Sequence, residues 1–194
     1  MSCIGTLDAL DEDVLVCPLT KENMNELKNH PLLITLRDAI SGDGFLAGIT
    51  LSGRALMRKE DDGKWWMYGV RPAALAESGT TIEEAFLRFR GRYREVLFDI
   101  AQENSSFDDF RKEVERFFYE PGADGEDERL WEDALTAIRT GGVRAPDEFS
   151  GLERKSPETT PSQITVELLN DVKKRFMPSD NVRDTYAIPD TLAA

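Results

Sequence analysis

The side chains able to do chemistry are few and unevenly placed. His30 is the single histidine, so any Ser–His or Cys–His pair would have to use it, and it stands before Pro31 with no nucleophile motif around it. It reads as a surface or helix-end histidine. Cys3 and Cys17 are too few for a disulfide framework or a four-ligand zinc site. There is no Gly-Lys phosphate loop, dinucleotide fingerprint or His-Glu-x-x-His segment. Carboxylates are plentiful, as Glu83-Glu84, Asp108-Asp109, Glu126-Asp127-Glu128 and Glu132-Asp133. Paired acids can move protons or hold Mg²⁺, so a metal-assisted hydrolase or transferase is the enzymatic alternative. Neighbours on a helix point about 100° apart, however, and these pairs fall in first turns, where acids favour the helix dipole. They read as solvated caps. Asp124-x-Glu126-x-Glu128 lacks the glycine that an EF-hand loop needs at its sixth position. No cofactor is implied.

Cations are more informative. Arg54, Arg58 and Arg71 belong to a β-hairpin signal over 45–71, in which Asp62-Gly63 separates two alternating runs. A two-residue loop there sets Met57 opposite Tyr68 and Ala55 opposite Val70, an apolar face that includes Trp66. The other face carries Arg54, Leu56, Arg58, Trp65, Met67 and Arg71. In this register Arg54 lies directly across from Arg71. Opposed like charges are destabilising, so an acid is expected to answer them, from the Asp-rich N-terminus, from the 124–133 run or from a partner. Trp65 and Trp66 point to opposite faces of the strand, one into the core and the other toward a covering segment or a contact surface.

The elements around the hairpin follow from periodicity. Ile82, Ala85, Phe86, Phe89, Tyr93, Val96, Leu97 and Ile100 make the stripe of a long helix over 82–103, with Thr81 and Glu84 as its capping box and Arg88, Arg90, Arg92 and Arg94 outward. Ser106 caps a second helix with Phe107, Phe110, Val114, Phe117 and Phe118. Asp124 can cap a third, built on Leu130, Trp131, Ala134, Leu135 and Ile138 and ended by Gly141-Gly142. Upstream, Thr20 would cap Lys21 to Asn29. Pro31 would open a helix with Leu32, Leu33, Leu36 and Ile40 on one face, stopped by Gly42-Asp43-Gly44, although Leu32 to Leu36 also reads as a buried strand. Downstream, Arg154 to Pro161 is a polar linker, Gln163 to Met177 a last helix with Leu168, Leu169, Val172 and Phe176 apolar, and the chain after Pro178 an arm.

The fold class is therefore α+β, a small antiparallel sheet formed by the 45–71 hairpin with helix 82–103 on one face and several additional helices. Three parts are expected: a mainly helical extension over 1–44, the core module with its acidic helical segment over 45–142, and a Pro-containing linker with a C-terminal helix or arm over 143–194.

Of the 194 residues 40% are hydrophobic, enough for a core, and the mean hydropathy is −0.43 with no run long enough to span a bilayer. The net charge of −13 disfavours direct nucleic-acid contact, which needs clustered Lys and Arg. Asp8, Asp11, Glu12 and Asp13 in place of a basic leader point to the cytoplasm. The charge is concentrated: residues 103–133 carry −8, against +1 for 45–102. Glu126, Asp127 and Glu128 are thus candidate contacts for a cationic partner, beside Arg54, Arg58, Trp65 and Arg71 on the hairpin.

The order of strand 51–59, Asp-Gly hairpin, Trp66-x-Tyr68-x-Val70, Pro72, Leu75, Gly79-Thr80-Thr81-x-Glu83-Glu84-Ala85 and long helix resembles the HicB antitoxin family over roughly 49–103. Gly79, Thr81, Glu83, Glu84 and Ala85 fall on that family's loop-to-helix pattern. Thr80 replaces its aspartate, the 73–78 loop lacks its Pro-Gly-Cys piece, and Ser106 opens a helix where the family returns to a strand. The resemblance implies a β-β-α module related to a truncated ribonuclease H fold. It also implies a non-catalytic regulatory protein that binds and neutralises a small basic RNA-cleaving toxin. A homo-oligomer is a separate reading that the sequence leaves open. Such antitoxins commonly add a DNA-binding segment. Here only Gln163-Ile164-Thr165-Val166 distantly resembles the start of a ribbon-helix-helix.

Overall fold

The computed structural model describes residues 28–122, 125–141, 147–156, 162–169 and 184–189. A seven-stranded sheet forms the centre of the molecule. Strand β1 (His30–Gly42) and strand β2 (Phe45–Lys59) form a long hairpin through Asp43-Gly44, with Gly42 paired to Phe45 and Gly44 at φ 76°. The helix expected after Pro31 is therefore a strand. Leu32, Ile34, Leu36 and Ile40 alternate onto one face and are fully buried, while Leu33 is buried on the other. A strand covered on both faces loses the polar alternation that would distinguish it from a helix.

Strand β3 (Trp65–Arg71) pairs with the second half of β2, and strand β4 (Ala76–Gly79) with β3. The loop between β2 and β3 spans 60–64, longer than two residues: the Gly63 N–H donates to Glu60 O at 2.9 Å, and Gly63 takes a positive φ of 78°. The expected pairs are accordingly displaced. Met57 faces Met67, and Leu56 faces Tyr68. One residue of slip exchanges the faces of a strand, so Trp65 and Met67 join Ala55 and Met57 in the main core, and Trp66 and Tyr68 turn to the opposite side. An irregularity between Arg54 and Ala55 then absorbs the slip, leaving Arg54 opposite Arg71 after all. Gly53 and Gly69 admit the backbone there. A Cβ on either would meet Arg71 O or Pro72 O at about 2 Å.

Helix α1 (Ile82–Glu103) begins and ends where its stripe does, and helix α2 (Phe107–Tyr119) follows the Ser106 cap. Both pack on one face of the sheet, in a cluster that includes Phe45, Phe89, Tyr93, Leu97, Phe110 and Phe118. Helix α3 (Glu126–Arg139) covers the other face, where Trp131 and Leu135 meet Leu33, Leu56 and Val70. Its N-cap is Gly125, with no side-chain cap bond; Asp124, the expected cap, lies outside the described residues.

The C-terminal expectations change most. A 3₁₀ turn (Asp147–Phe149) precedes strand β5 (Glu153–Lys155), strand β6 (Gln163–Leu168) and strand β7 (Thr185–Pro189). β6 pairs with the first half of β2, β7 with β1 at Leu33–Thr35, and β5 runs parallel to β7. Where a helix was expected from Gln163 there is a strand, suited to the β-branched Ile164, Thr165 and Val166. The arm expected after Pro178 supplies another strand. Residues 21–27 and 170–183, with the remaining helical expectations, lie outside the described part. The three parts expected on either side of 44/45 and 142/143 thus share one sheet, and the described residues hold three α-helices.

Candidate functional site

On the α3 face, the bulged register forces two guanidinium groups together. Glu128 lies between them, with Oε1 at 3.3 Å from Arg54 Nη2 and Oε2 at 3.3 Å from Arg71 Nη2. Arg54 also reaches Glu132 at 3.0 Å, one turn further along α3, and donates from Nε to Ser162 Oγ at 2.8 Å. Its guanidinium lies 5.0 Å over the Trp131 ring, and Trp131 Nε1 donates to Leu32 O at 3.3 Å. Arg71 donates in addition to Tyr119 O at 3.0 Å. The acid that answers the opposed arginines thus comes from the chain itself, from the 124–133 run. Arg58 forms a neighbouring group, paired with Glu60 and stacked 5.0 Å over Tyr68, whose hydroxyl donates to Glu60 at 2.9 Å.

Trp65 does not share this surface. It is 6% exposed on the opposite face, edge-on to Phe149, with ring centroids 5.6 Å apart. The tryptophan on the arginine side is Trp66, half-buried and stacked on Tyr68 at 5.9 Å. Of the acidic trio, Glu128 faces the sheet, whereas Glu126 is exposed and lies 3.9 Å from Arg129. Three further acids of 103–133 are answered locally by the three-residue spacings Asp108–Arg111, Asp109–Lys112 and Glu113–Arg116.

His30 is neither exposed nor at a helix end. It is buried on β1 against Phe149 and Trp65, with ring centroids 4.7 and 6.1 Å away. Desolvation lowers its pKa to about 4, against an opposing pull from Glu148, and among the described residues Nδ1 has no hydrogen-bond partner. It is neutral near pH 7.

Two groupings escaped the sequence reading. Arg90 and Arg94, read as outward, turn to Asp184 and Asp38 respectively at the β1–β7 edge, beside the buried Tyr93. Burial raises the Asp38 pKa against the pull of the two arginines. Asp38 interrupts the inward series Leu32, Ile34, Leu36 and Ile40 on β1 with a charge, and that was the available signal. The second is a groove of about 560 Å³ at the start of α1, lined by Lys59, Trp65, Thr81, Glu83, Glu148 and Tyr186. Nothing in the sequence brings those four segments together.

The Gly79–Ala85 motif has a structural explanation. A Cβ on Gly79 would meet Ala85 N at 2.4 Å, so glycine lets β4 run against the helix. Thr81 Oγ1 accepts from Glu84 N at 3.1 Å, and Glu84 accepts from the N–H and hydroxyl of Thr80, both at 2.7 Å. Ala85 is fully buried. Glu83 is the motif carboxylate left over, and it borders the groove.

No family model, curated protein or solved structure matches this chain. Among the described residues, no three His, Cys, Asp or Glu side chains gather as a metal-binding group, and no helix is long and apolar enough to cross a membrane.

Proposed function

We propose that this is a non-catalytic binding protein of HicB type, acting in the cytoplasm by contact with a small basic protein. The observation that carries the reading is the run from β2 through β3 and β4 into α1. The strand, hairpin and helix stand at the positions of the resemblance, and Gly79, Thr81, Glu84 and Ala85 each do a job there that constrains residue type. The acidic helices α2 and α3 support a cationic partner, since complementary charge speeds encounter and suppresses wrong partners. Glu128 is committed to Arg54 and Arg71, so the partner meets the more exposed carboxylates.

Pull-down with the full chain from its source cell, followed by mass spectrometry, tests this. The expected result is a small basic protein in near-stoichiometric amount, released by raised salt. Recovery of no such protein, or only of acidic ones, would overturn the reading.

A further inference from the structure

We infer that the groove at the N-terminal end of α1 receives a cationic side chain, an arginine or lysine of the protein partner proposed above. This inference rests on that reading for the source of the cation, but its geometry is separate from the α3 surface.

Two aromatic rings wall the groove and are held from behind. Trp65 is backed by Phe149 and His30, and Tyr186 lies against Phe86 with ring centroids 4.3 Å apart. Trp65 is only 6% exposed and already carries Lys59, so the ring open to the groove is chiefly the half-buried Tyr186, and an aromatic face held in place attracts a cation at little entropic cost. The chain already exploits that attraction, since Lys59 Nζ stands 5.6 Å from the Trp65 centroid.

Charge bookkeeping points the same way. The groove is bordered by Glu83, Glu148 and Lys59, and among the described residues none of the three has an ion-pair partner. Two carboxylates against one ammonium leave a net −1 at the groove. The helix terminus, which would favour an anion, is already served: Thr81 caps it, and Glu84 takes the Thr80 N–H. A groove of about 560 Å³ is within the size of small-ligand sites. A guanidinium or ammonium on a flexible stem fits this combination, with its apolar stem along the rings and its charge among the carboxylates.

The test is calorimetric titration of the full chain, at low salt, with N-acetyl-arginine methylamide and with its neutral isostere N-acetyl-citrulline methylamide. We expect saturable binding of the arginine probe, about tenfold or more weaker binding of the citrulline probe, and about tenfold loss for the arginine probe in a Glu83→Gln/Glu148→Gln variant. Equal binding of the two probes, no saturation with arginine, or undiminished binding by the variant would each overturn the inference. The probe comparison uses the wild-type chain, so it stands even if the variant folds poorly. Capture of a basic partner with equal yield by wild type and variant would overturn the groove and leave the proposed function intact. Selective arginine binding without any basic partner in the pull-down would do the reverse.

Discussion

Beneath α1 and α2 the sheet contributes Leu32, Ile34, Leu36, Ile40, Ala47, Ile49, Leu51 and Met57 to a continuous core. Beneath α3 it offers only Leu33, Leu56 and Val70, bordered by Arg54 and Arg71. The first cluster holds 25 buried residues among those described, the second five. Burial on the first side comes from shape and apolar area; on the second, a small apolar cluster is supplemented by ion pairs whose side chains are 20–55% exposed. Exposed pairs contribute little and are screened by salt. The two faces should therefore fail under different conditions.

The largest contrast comes from cutting into each cluster. Phe89 is fully buried in the α1 face, and Phe89→Ala should cost about 3–5 kcal/mol of global stability, read by denaturant unfolding. Leu135→Ala, in the five-residue cluster, should cost about 2–3 kcal/mol and act locally. Hydrogen exchange should show the α3 amides losing protection while those of α1 keep theirs. Equal loss of protection on both helices would show that the faces form one cooperative unit and would break the comparison.

How much of this was legible in the sequence depends on how local the signal is. The start and end of α1 were written in one stretch of chain, by Thr81, Glu84 and an eight-residue stripe. The helix cap and the apolar period there agree, and nothing distant competes with them. β1 was ambiguous because both faces of its first five residues are buried, which erases the period of two there. The hairpin register failed through its loop: Asp-Gly does make a two-residue turn here, but at Asp43-Gly44 rather than at Asp62-Gly63. The Arg54–Arg71 opposition survived only because a bulge restores that pair. The groove could not be read at all, since its walls come from β2–β3, the start of α1, the 3₁₀ turn and β7.

The α1 face should also carry a pH dependence, set by the buried His30. The folded pKa of His30, about 4, lies below the ordinary 6.5. Between those values the unfolded chain binds the extra proton, so stability rises with pH across the window and is lost as the pH falls from about 6.5 toward 4. The loss should be about 3 kcal/mol. Asp38 has the opposite sign, because its pKa is raised in the fold, so the measurement is the difference between wild type and His30→Phe across pH 4–7. A flat difference would mean that His30 is reached by water.

The smallest effect isolates the ion pairs. Replacing Glu128 by Gln leaves Arg54 facing Arg71, with Glu132 the one carboxylate among the described residues still paired to Arg54. Removing the bridging charge uncovers a like-charge repulsion between directly opposed positions. Glu128 is 41% exposed and the arginines about 20%, so water and salt screen both terms, and Glu128→Gln should cost about 0.5–1 kcal/mol in dilute buffer. At about 1 M salt, where screening acts within about 3 Å, most of that cost should vanish. A double-mutant cycle of Glu128→Gln with Arg71→Ala should return a coupling of similar size, and Glu126→Gln with Arg71→Ala none beyond error. The cost of Phe89→Ala, by contrast, should survive salt undiminished, because apolar burial carries no charge to screen. If Glu128→Gln is salt-independent and confers more than about 2 kcal/mol, then the arginine face is as dry as the core under α1 and its ion pairs count as buried ones. Only its smaller apolar cluster would then still distinguish that side of the sheet.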